Sequence, residues 1–492
     1  MPAVIIPIQP ALPVRLPTIE GNVEYRTLRD QLLQINQILI GSDLEDRFVQ
    51  LDLERWLQGN KHVSAKAQQY RQQQSRVALR SNIARTLLRL DFRDFAARVA
   101  DSPLLQFFCG INEIDRVLVP GKSNFQRFAT RWTPEEMRQL SEELLRIGAQ
   151  EPAKVYLPEP VDLERCWLDT TCLEANIHYP VDWILLRDAT RTLMKAVALI
   201  RGQGLKSRME EPELFISRMN QLCIQMTHTS AKQDSKRQRK TTLRKMDRMV
   251  GTVAAHARRY RQLLDQEWEQ TEWTRPQAEQ VLRRIDQVLE QLPKARKQAR
   301  ERILAGKLTE NKDKILSLYE REVRVIVRKK AGAEVEFGNT LLLGENPQGL
   351  ILDWELFEDT APADARLVRS SVERMKGAFG PVLKELGTDR GFDSEANQEF
   401  LRKEDIYNGM CPRSPRKLKE RNRSWKFKQL QHRRSQTEGR VAILKNVFVG
   451  QPVRSKGFTN RAIGVSWAVL THNLWVMARI TLAAAEEKRA AA

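Results

Sequence analysis

The feature that most constrains this chain is a short run without helical period, set between two long segments that have one. Residues Cys166 to Tyr179 read CWLDTTCLEANIHY, rich in β-branched, aromatic and apolar residues, which suit a pleated, half-buried strand. An acid, Asp169, sits inside this strand. A carboxylate in apolar surroundings is costly without a partner, so a metal or a cationic side chain is implied beside it.

Further strands follow much later. Val335, Phe337 and Leu341 to Leu343 form one, and Leu350 to Phe357 the next. In the second, Leu350, Leu352, Trp354 and Leu356 alternate with Ile351, Asp353, Glu355 and Phe357. The connection Gly344-Glu345-Asn346-Pro347-Gln348-Gly349 is rich in turn residues, so the pair reads as a β-hairpin. A helix carries Val368, Val372, Met375 and Phe379 on one face. A short strand then ends near Asp389, a helix starts at about Ser394, a strand lies near Ile406, and two helices close the chain. This order predicts an α/β fold with a mixed sheet.

The flanking segments are helical. Val77, Leu79, Ile83, Leu87, Leu88 and Leu90 recur at helical spacing. Thr133-Pro134-Glu135-Glu136 is a helix start with a capping box, Leu140, Leu144 and Ile147 line one face, and Gly148 is the expected stop. Val281, Ile285, Val288 and Leu292 give a second stripe, opened by Thr274-Arg275-Pro276. The expected plan is a Pro-rich leader over 1–24 and a compact helical domain over 25–150. A discontinuous α/β domain follows over 155–190 and 326–482, interrupted by a long antiparallel helical pair over 191–325. A length of 492 residues suits two to four such units.

Lys and Arg number 82 against 62 Asp and Glu, a formal net charge of +20. That excess attracts polyanions, and nucleic acid is the commonest reason for it. One dense run, Ser230 to Arg248, includes Lys232, Arg237 and Lys240, and reads either as a solvated helix face or as a DNA contact. Trp425, among Arg421, Arg423, Lys426 and Lys428, either stacks on a base or anchors a loop to the core. The five cysteines are scattered, with no Cys-x-x-Cys, as expected of buried thiols in a reducing cytoplasm. The proline-broken N-terminus lacks the pattern of a signal peptide. Ala462 to Ala478 is apolar but contains Ser466, Thr471, His472 and Asn473, so it reads as a buried core helix and no membrane contact is expected.

Carboxylates at strand ends suit hard divalent cations, which take oxygen ligands, and paired cations catalyse phosphodiester chemistry. Three places stand out: Asp169; Asp389 in Gly387-Thr388-Asp389-Arg390-Gly391; and Glu438 in Arg434-Ser435-Gln436-Thr437-Glu438. On a helix Arg434 lies roughly 40° and Lys445 roughly 20° from Glu438, so one face offers a carboxylate flanked by phosphate-binding cations. Asp393 reads as a helix cap, and Asp182 and Asp188 as caps or ion-pair partners. His178 reads as a loop or DNA contact, since Mg²⁺ prefers oxygen.

At these residues the chain resembles the DDE transposases of bacterial insertion sequences, in the RNase H-like superfamily. LDTTCLEANIHYPVD looks like the opening catalytic strand of that family, and TDRGFDSEANQEFL is similar to its second-acid segment. Arg434, Glu438 and Lys445 match the Arg, Glu and Lys of its YREK signature, with Gln431 at the Tyr position. VEFGNTLLLGENPQGLILDWELFEDTAPAD resembles its second and third strands, and ADSPLLQFFCGI with VPGKSNFQRF its N-terminal DNA-binding helices. The resemblance implies an RNase H-like catalytic domain in which Asp169, Asp389 and Glu438 hold two Mg²⁺ or Mn²⁺ ions. It also implies terminal inverted repeats and target DNA as substrates, and a homodimer that pairs two ends in a bacterial cytoplasm. The helical insertion departs from the family core. The alternatives are an RNase H-like nuclease without strand transfer and an inactive, transposase-derived DNA-binding protein.

Overall fold

A computed structural model describes residues 16, 18–60, 62–112, 117–228, 235–330 and 333–491. Most of the 1–24 leader, and Lys232, lie outside them. The chain forms two compact units, one comprising Met1–Leu173, Thr340–Phe357 and Ala361–Ala492, the other Glu174–Asn339 and Glu358–Thr360.

The first unit opens with helices α1 (Val23–Gly41), α2 (Leu44–Gly59), α3 (Ala65–Leu88), α4 (Phe92–Asp101), α5 (Pro103–Cys109), α6 (Lys122–Ala129) and α7 (Pro134–Gln150). The Thr133 capping box is present: its hydroxyl accepts from Glu136 N at 3.2 Å and Glu136 Oε2 from Thr133 N at 2.8 Å. Gly148 does not stop α7. It lies inside the helix, where a Cβ would come within 2.7 Å of Val161 Cγ2, so it serves close packing instead.

The sheet strands of this unit are β1 (Arg165–Glu174), the Thr340–Glu345 end of a longer β3, β4 (Ile351–Leu356), β5 (Glu385–Thr388) and β6 (Tyr407–Met410). Helices α12 (Leu367–Phe379), α13 (Glu395–Lys403), α14 (Pro415–Arg421), α15 (Trp425–Ile443) and α16 (Phe458–Ala491) complete it. The spatial order is β4-β3-β1-β5-β6. β3 and β4 are antiparallel, with Leu343 opposite Trp354, as the hairpin reading expects. β1, β5 and β6 are parallel. The mixed α/β class therefore holds, although three helices rather than two close the chain.

The helices at 25–150 do not enclose a core of their own. One apolar cluster runs from Leu32, Phe48 and Leu140 through Cys166 and Leu168 of β1 to Val372 of α12 and Trp467 of α16. Trp467 Nε1 donates to Ala129 O at 2.9 Å, and Phe48 stacks on Trp132 with centroids 3.8 Å apart. By length and composition α16 could cross a membrane, but Val465, Leu470 and Ala478 are buried in this unit, so it is the expected core helix. Its Asn473 side chain closes the start of β4, accepting from Ile351 N at 2.9 Å and donating to Ile351 O at 3.0 Å.

The second unit has four helices where a pair was expected: α8 (Asp182–Gly202), α9 (Pro212–His228), α10 (Ser235–Glu267) and α11 (Arg275–Ala299). They share a core that includes Leu186, Leu193, Met219, Val250, Tyr260 and Ile285. Since α8 belongs here, this unit begins at Glu174 rather than 191. The helical reading to 325 is also too long. A π-turn over Arg300–Leu304 ends α11, and β2 (Arg324–Lys330) pairs antiparallel with Val335–Gly338 of β3 (Ala333–Glu345). Asp182 is an ion-pair partner, 2.9 Å from Arg302 Nη1, and Asp188 lies 2.9 Å from Arg187 Nη2.

Candidate active site

The parallel register places the first two acids. Trp167 lies opposite Gly387 and Leu168 opposite Thr388, so Asp169 and Asp389 are the next positions on neighbouring chain segments, at the C-terminal end of β5. Strand alternation puts Trp167 and Asp169 on one face, opposite the Cys166 and Leu168 side chains of the main core.

Helix α15 covers the Trp167 face, and two glycines make room for it. A Cβ on Gly387 would lie 2.5 Å from Trp167 Cδ1, and one on Gly409 would lie 3.0 Å from Leu430 Cδ1. The indole therefore lies flat across β5, and its Nε1 donates to Leu430 O at 2.9 Å. Gln431, at the signature's Tyr position, donates from Nε2 to Gly409 O at 2.6 Å and Thr388 O at 3.2 Å. That pins α15 to the ends of β5 and β6, one residue short of Asp389.

Around the acids, Asp169 Oδ1 accepts from Thr170 N and Asp389 Oδ1 from Gly391 N, each at 2.8 Å. Among the described residues no Lys, Arg or His pairs with Asp389. A third carboxylate, missed from the sequence, arrives here. Thr170 Oγ1 donates to Asp364 Oδ1 at 3.0 Å. A Cβ on Gly391 would lie 2.6 Å from Asp364 Oδ2 and 3.1 Å from Asp389 Oδ1, so both oxygens crowd one glycine. The only sequence signal for Asp364 is that it ends the segment resembling the family's second and third strands. Asp393 is not the helix cap. Ser394 caps α13, accepting from Asn397 N, while buried Asp393 accepts from Gln398 Nε2 at 2.7 Å and Arg413 N at 3.0 Å.

On α15, Arg433 and Thr437 turn inward, each 2.9 Å from Glu345 Oε1. Arg434 and Glu438 turn toward the side that carries Gln431, from which Glu438 is displaced by roughly 20° at 100° per residue. Arg434 Nη1 lies 3.7 Å from Glu438 Oε1, and the Glu438 side chain is 67% exposed. Lys445 is half-buried in the π-turn Leu444–Val449 that extends α15. Among the described residues no three His, Cys, Asp or Glu side chains are gathered closely enough to hold one metal ion. Asp364 and Asp389 thus crowd Gly391 just past β5, Asp169 lies level with Asp389 on β1, and Glu438 is exposed on α15.

Trp425, the first residue of α15, is 71% exposed, so it does not anchor a loop to the core. Arg237 is exposed and Lys240 half-buried on α10 of the second unit, and His178 is exposed. No protein-family model matches the chain, and neither a curated protein nor a solved structure shows significant similarity to it.

Proposed function

We propose that this chain is a DNA transposase of the DDE type, with an RNase H-like catalytic domain that nicks the ends of its element and joins them to target DNA. The observation that carries the reading is the placement of Asp169 and Asp389 at one level of two adjacent parallel segments, beneath a helix that presents Arg434 and Glu438. The order of strands, with the hairpin on one side of β1 and parallel β5 and β6 on the other, supports the same fold reading.

The donors fit hard cations. Asp169, Asp389 and Asp364 offer oxygen alone, and although Cys411 follows β6 next to Thr388, no His, Cys, Asp or Glu cluster among the described residues gathers a thiol with them. Asp169 and Asp389 would hold Mg²⁺ or Mn²⁺, and Glu438 would join them by rotating away from Arg434. Two such ions, when bound, supply activation of the attacking oxygen and stabilisation of the departing one. Arg434 and Lys445 would bind the phosphates flanking the scissile bond, and exposed Trp425 would stack against a base.

In the first reaction a water oxygen bonds to phosphorus and the 3′ oxygen leaves with a proton as a free hydroxyl. In the second that hydroxyl attacks a target phosphodiester and a new 3′ end departs. A homodimer would pair the two terminal inverted repeats. The test is incubation of a fragment carrying the element's own ends with Mg²⁺ and a target plasmid, wild type beside Glu438→Gln. Nicked and joined products with wild type alone are expected. Nicking without joining would reduce the protein to a nuclease, and equal cleavage by both proteins would remove Glu438 from the site.

A further inference from the structure

The longest helix of the second unit carries a row of cations that its own unit leaves unneutralised. Between Ser235 and Arg259, α10 has nine Lys or Arg and one acid, Asp247. That acid is already engaged, 2.7 Å from Arg296 Nε and 2.5 Å from Arg300 Nη2. Arg237, Arg244, Lys245, Arg248, Arg258 and Arg259 are exposed. Among the described residues none of these six forms an ion pair. At 100° per residue Arg237, Arg244, Arg248 and Arg259 fall within roughly 60° of one another, on one stripe. Half-buried Lys240 lies off that stripe by roughly 40° or more.

The neighbouring helix behaves differently. On α11, Arg275 lies 3.1 Å from Glu279 Oε1 and Lys297 is 3.9 Å from Glu301 Oε1, while Asp286 and Glu290 of α11 take Arg261 and Arg321. Mixed charge of that kind is the ordinary solvated helix face. The α10 stripe lacks it, and like charges so placed repel one another until a polyanion arrives.

We propose that the α10 stripe is a binding ridge for the phosphate backbone of duplex DNA, acting without regard to sequence. The dimensions fit. Arg237 and Arg259 are 22 positions apart on the helix, roughly 33 Å at 1.5 Å per residue. One turn of B-form duplex advances about 34–36 Å. Its four guanidinium groups suit phosphate oxygens, and the hydroxyl of Thr241 on the same stripe is turned back to Arg237 O at 3.1 Å. This assignment does not depend on the catalytic reading.

The test is fluorescence anisotropy with the full chain and a 30-base-pair duplex of random sequence, titrated across a range of KCl. Removing Arg237, Arg244, Arg248 and Arg259 together (each Arg→Gln) takes four phosphate contacts away. The slope of log K against log[salt] should become shallower by roughly 3 to 4. Removing Arg275, Arg283, Lys294 and Lys297 of α11 (each→Gln) changes the net charge equally and should alter the slope by less than about 1. Circular dichroism of both variants should match wild type, because all eight side chains are exposed. Asp169→Asn should leave the slope unchanged even when nicking is lost, which separates this inference from the proposed catalysis. An unaltered slope in the α10 variant, or equal losses in both variants, would overturn it.

Discussion

Asp353 lies within β4 and Asp389 just past the end of β5 in the same sheet, yet the fold treats the two carboxylates in opposite ways. Asp353, on β4, is 1% exposed in its side chain and saturated: Arg374 grips it through Nε at 2.8 Å and Nη2 at 2.7 Å, Ser371 Oγ donates at 2.6 Å, and Arg138 Nη1 lies 3.3 Å away. Asp52 in the helical layer is handled likewise, with Arg71 at 2.6 Å and Ser75 at 2.5 Å. Asp389 receives the Gly391 amide and no cation from the described residues, and Asp364 comes in beside it. A buried charge that completes the fold is neutralised by guanidinium. Under the proposed function, Asp389 would instead meet an external cation.

The contrast can be broken most sharply by substituting each acid with its amide. Under the proposed function, Asp389→Asn is expected to lower Mg²⁺-dependent nicking by at least about 10³-fold, since it would remove one of the proposed metal ligands. Its urea midpoint should stay near wild type. Asp353→Asn is expected to do the reverse at the level of folding. It removes the buried carboxylate shared by Arg374 and Arg138, leaving Arg374 with Glu355 at 2.6 Å and Arg138 with Glu142 at 4.0 Å, and should cost roughly 3 kcal/mol in urea denaturation. If the two variants lose stability equally, the distinction between them fails.

His472 sharpens the comparison from a third side, as a buried titratable group that no anion supports. Burial lowers its imidazole to about 4, aided by Arg440, while Asn473 opposes the shift. The unfolded chain, with the ordinary value near 6.5, therefore binds the proton more readily than the folded one. Stability from this group is present above pH 6.5 and falls as pH drops from 6.5 toward 4, by roughly 3 kcal/mol in all. His472→Gln should flatten that part of the pH–stability curve, measured by thermal unfolding. An unchanged curve would mean that the ring accepts its proton in the fold.

The smallest effect is expected at Gly391→Ala. The added methyl would meet Asp364 Oδ2 at 2.6 Å and Asp389 Oδ1 at 3.1 Å, so the carboxylates must separate. Affinity for Mn²⁺ should fall on the order of tenfold, the scale of disturbances to groups supporting metal ligands. Isothermal titration would read it, and unchanged affinity would show that Asp364 and Asp389 do not share a cation.

Much of this architecture is legible locally. The capping box at Thr133, the alternation from Leu350 to Phe357 and the acid within β1 each follow from residues a few positions apart. What the sequence does not display depends on distant partners. Asp364 meets Thr170 across 194 positions. The helices at 25–150 read as an independent domain because their stripes are complete, yet their apolar faces close on α16 from the far end of the chain. Asp393 looks like a cap because it precedes Ser394, and only the fold shows it receiving Gln398 and Arg413. In the second unit, the stripe of α11 was plain, while those of α8 and α9 give no boundary until they pack.

The central claim is that the strand-end acids are completed by a divalent cation, and a Mn²⁺ titration followed by thermal shift tests it directly. The account predicts that the wild-type melting temperature rises with Mn²⁺ by the amount mass action requires, and that Asp169→Asn and Asp389→Asn abolish the rise. An equal rise in all three proteins would contradict it.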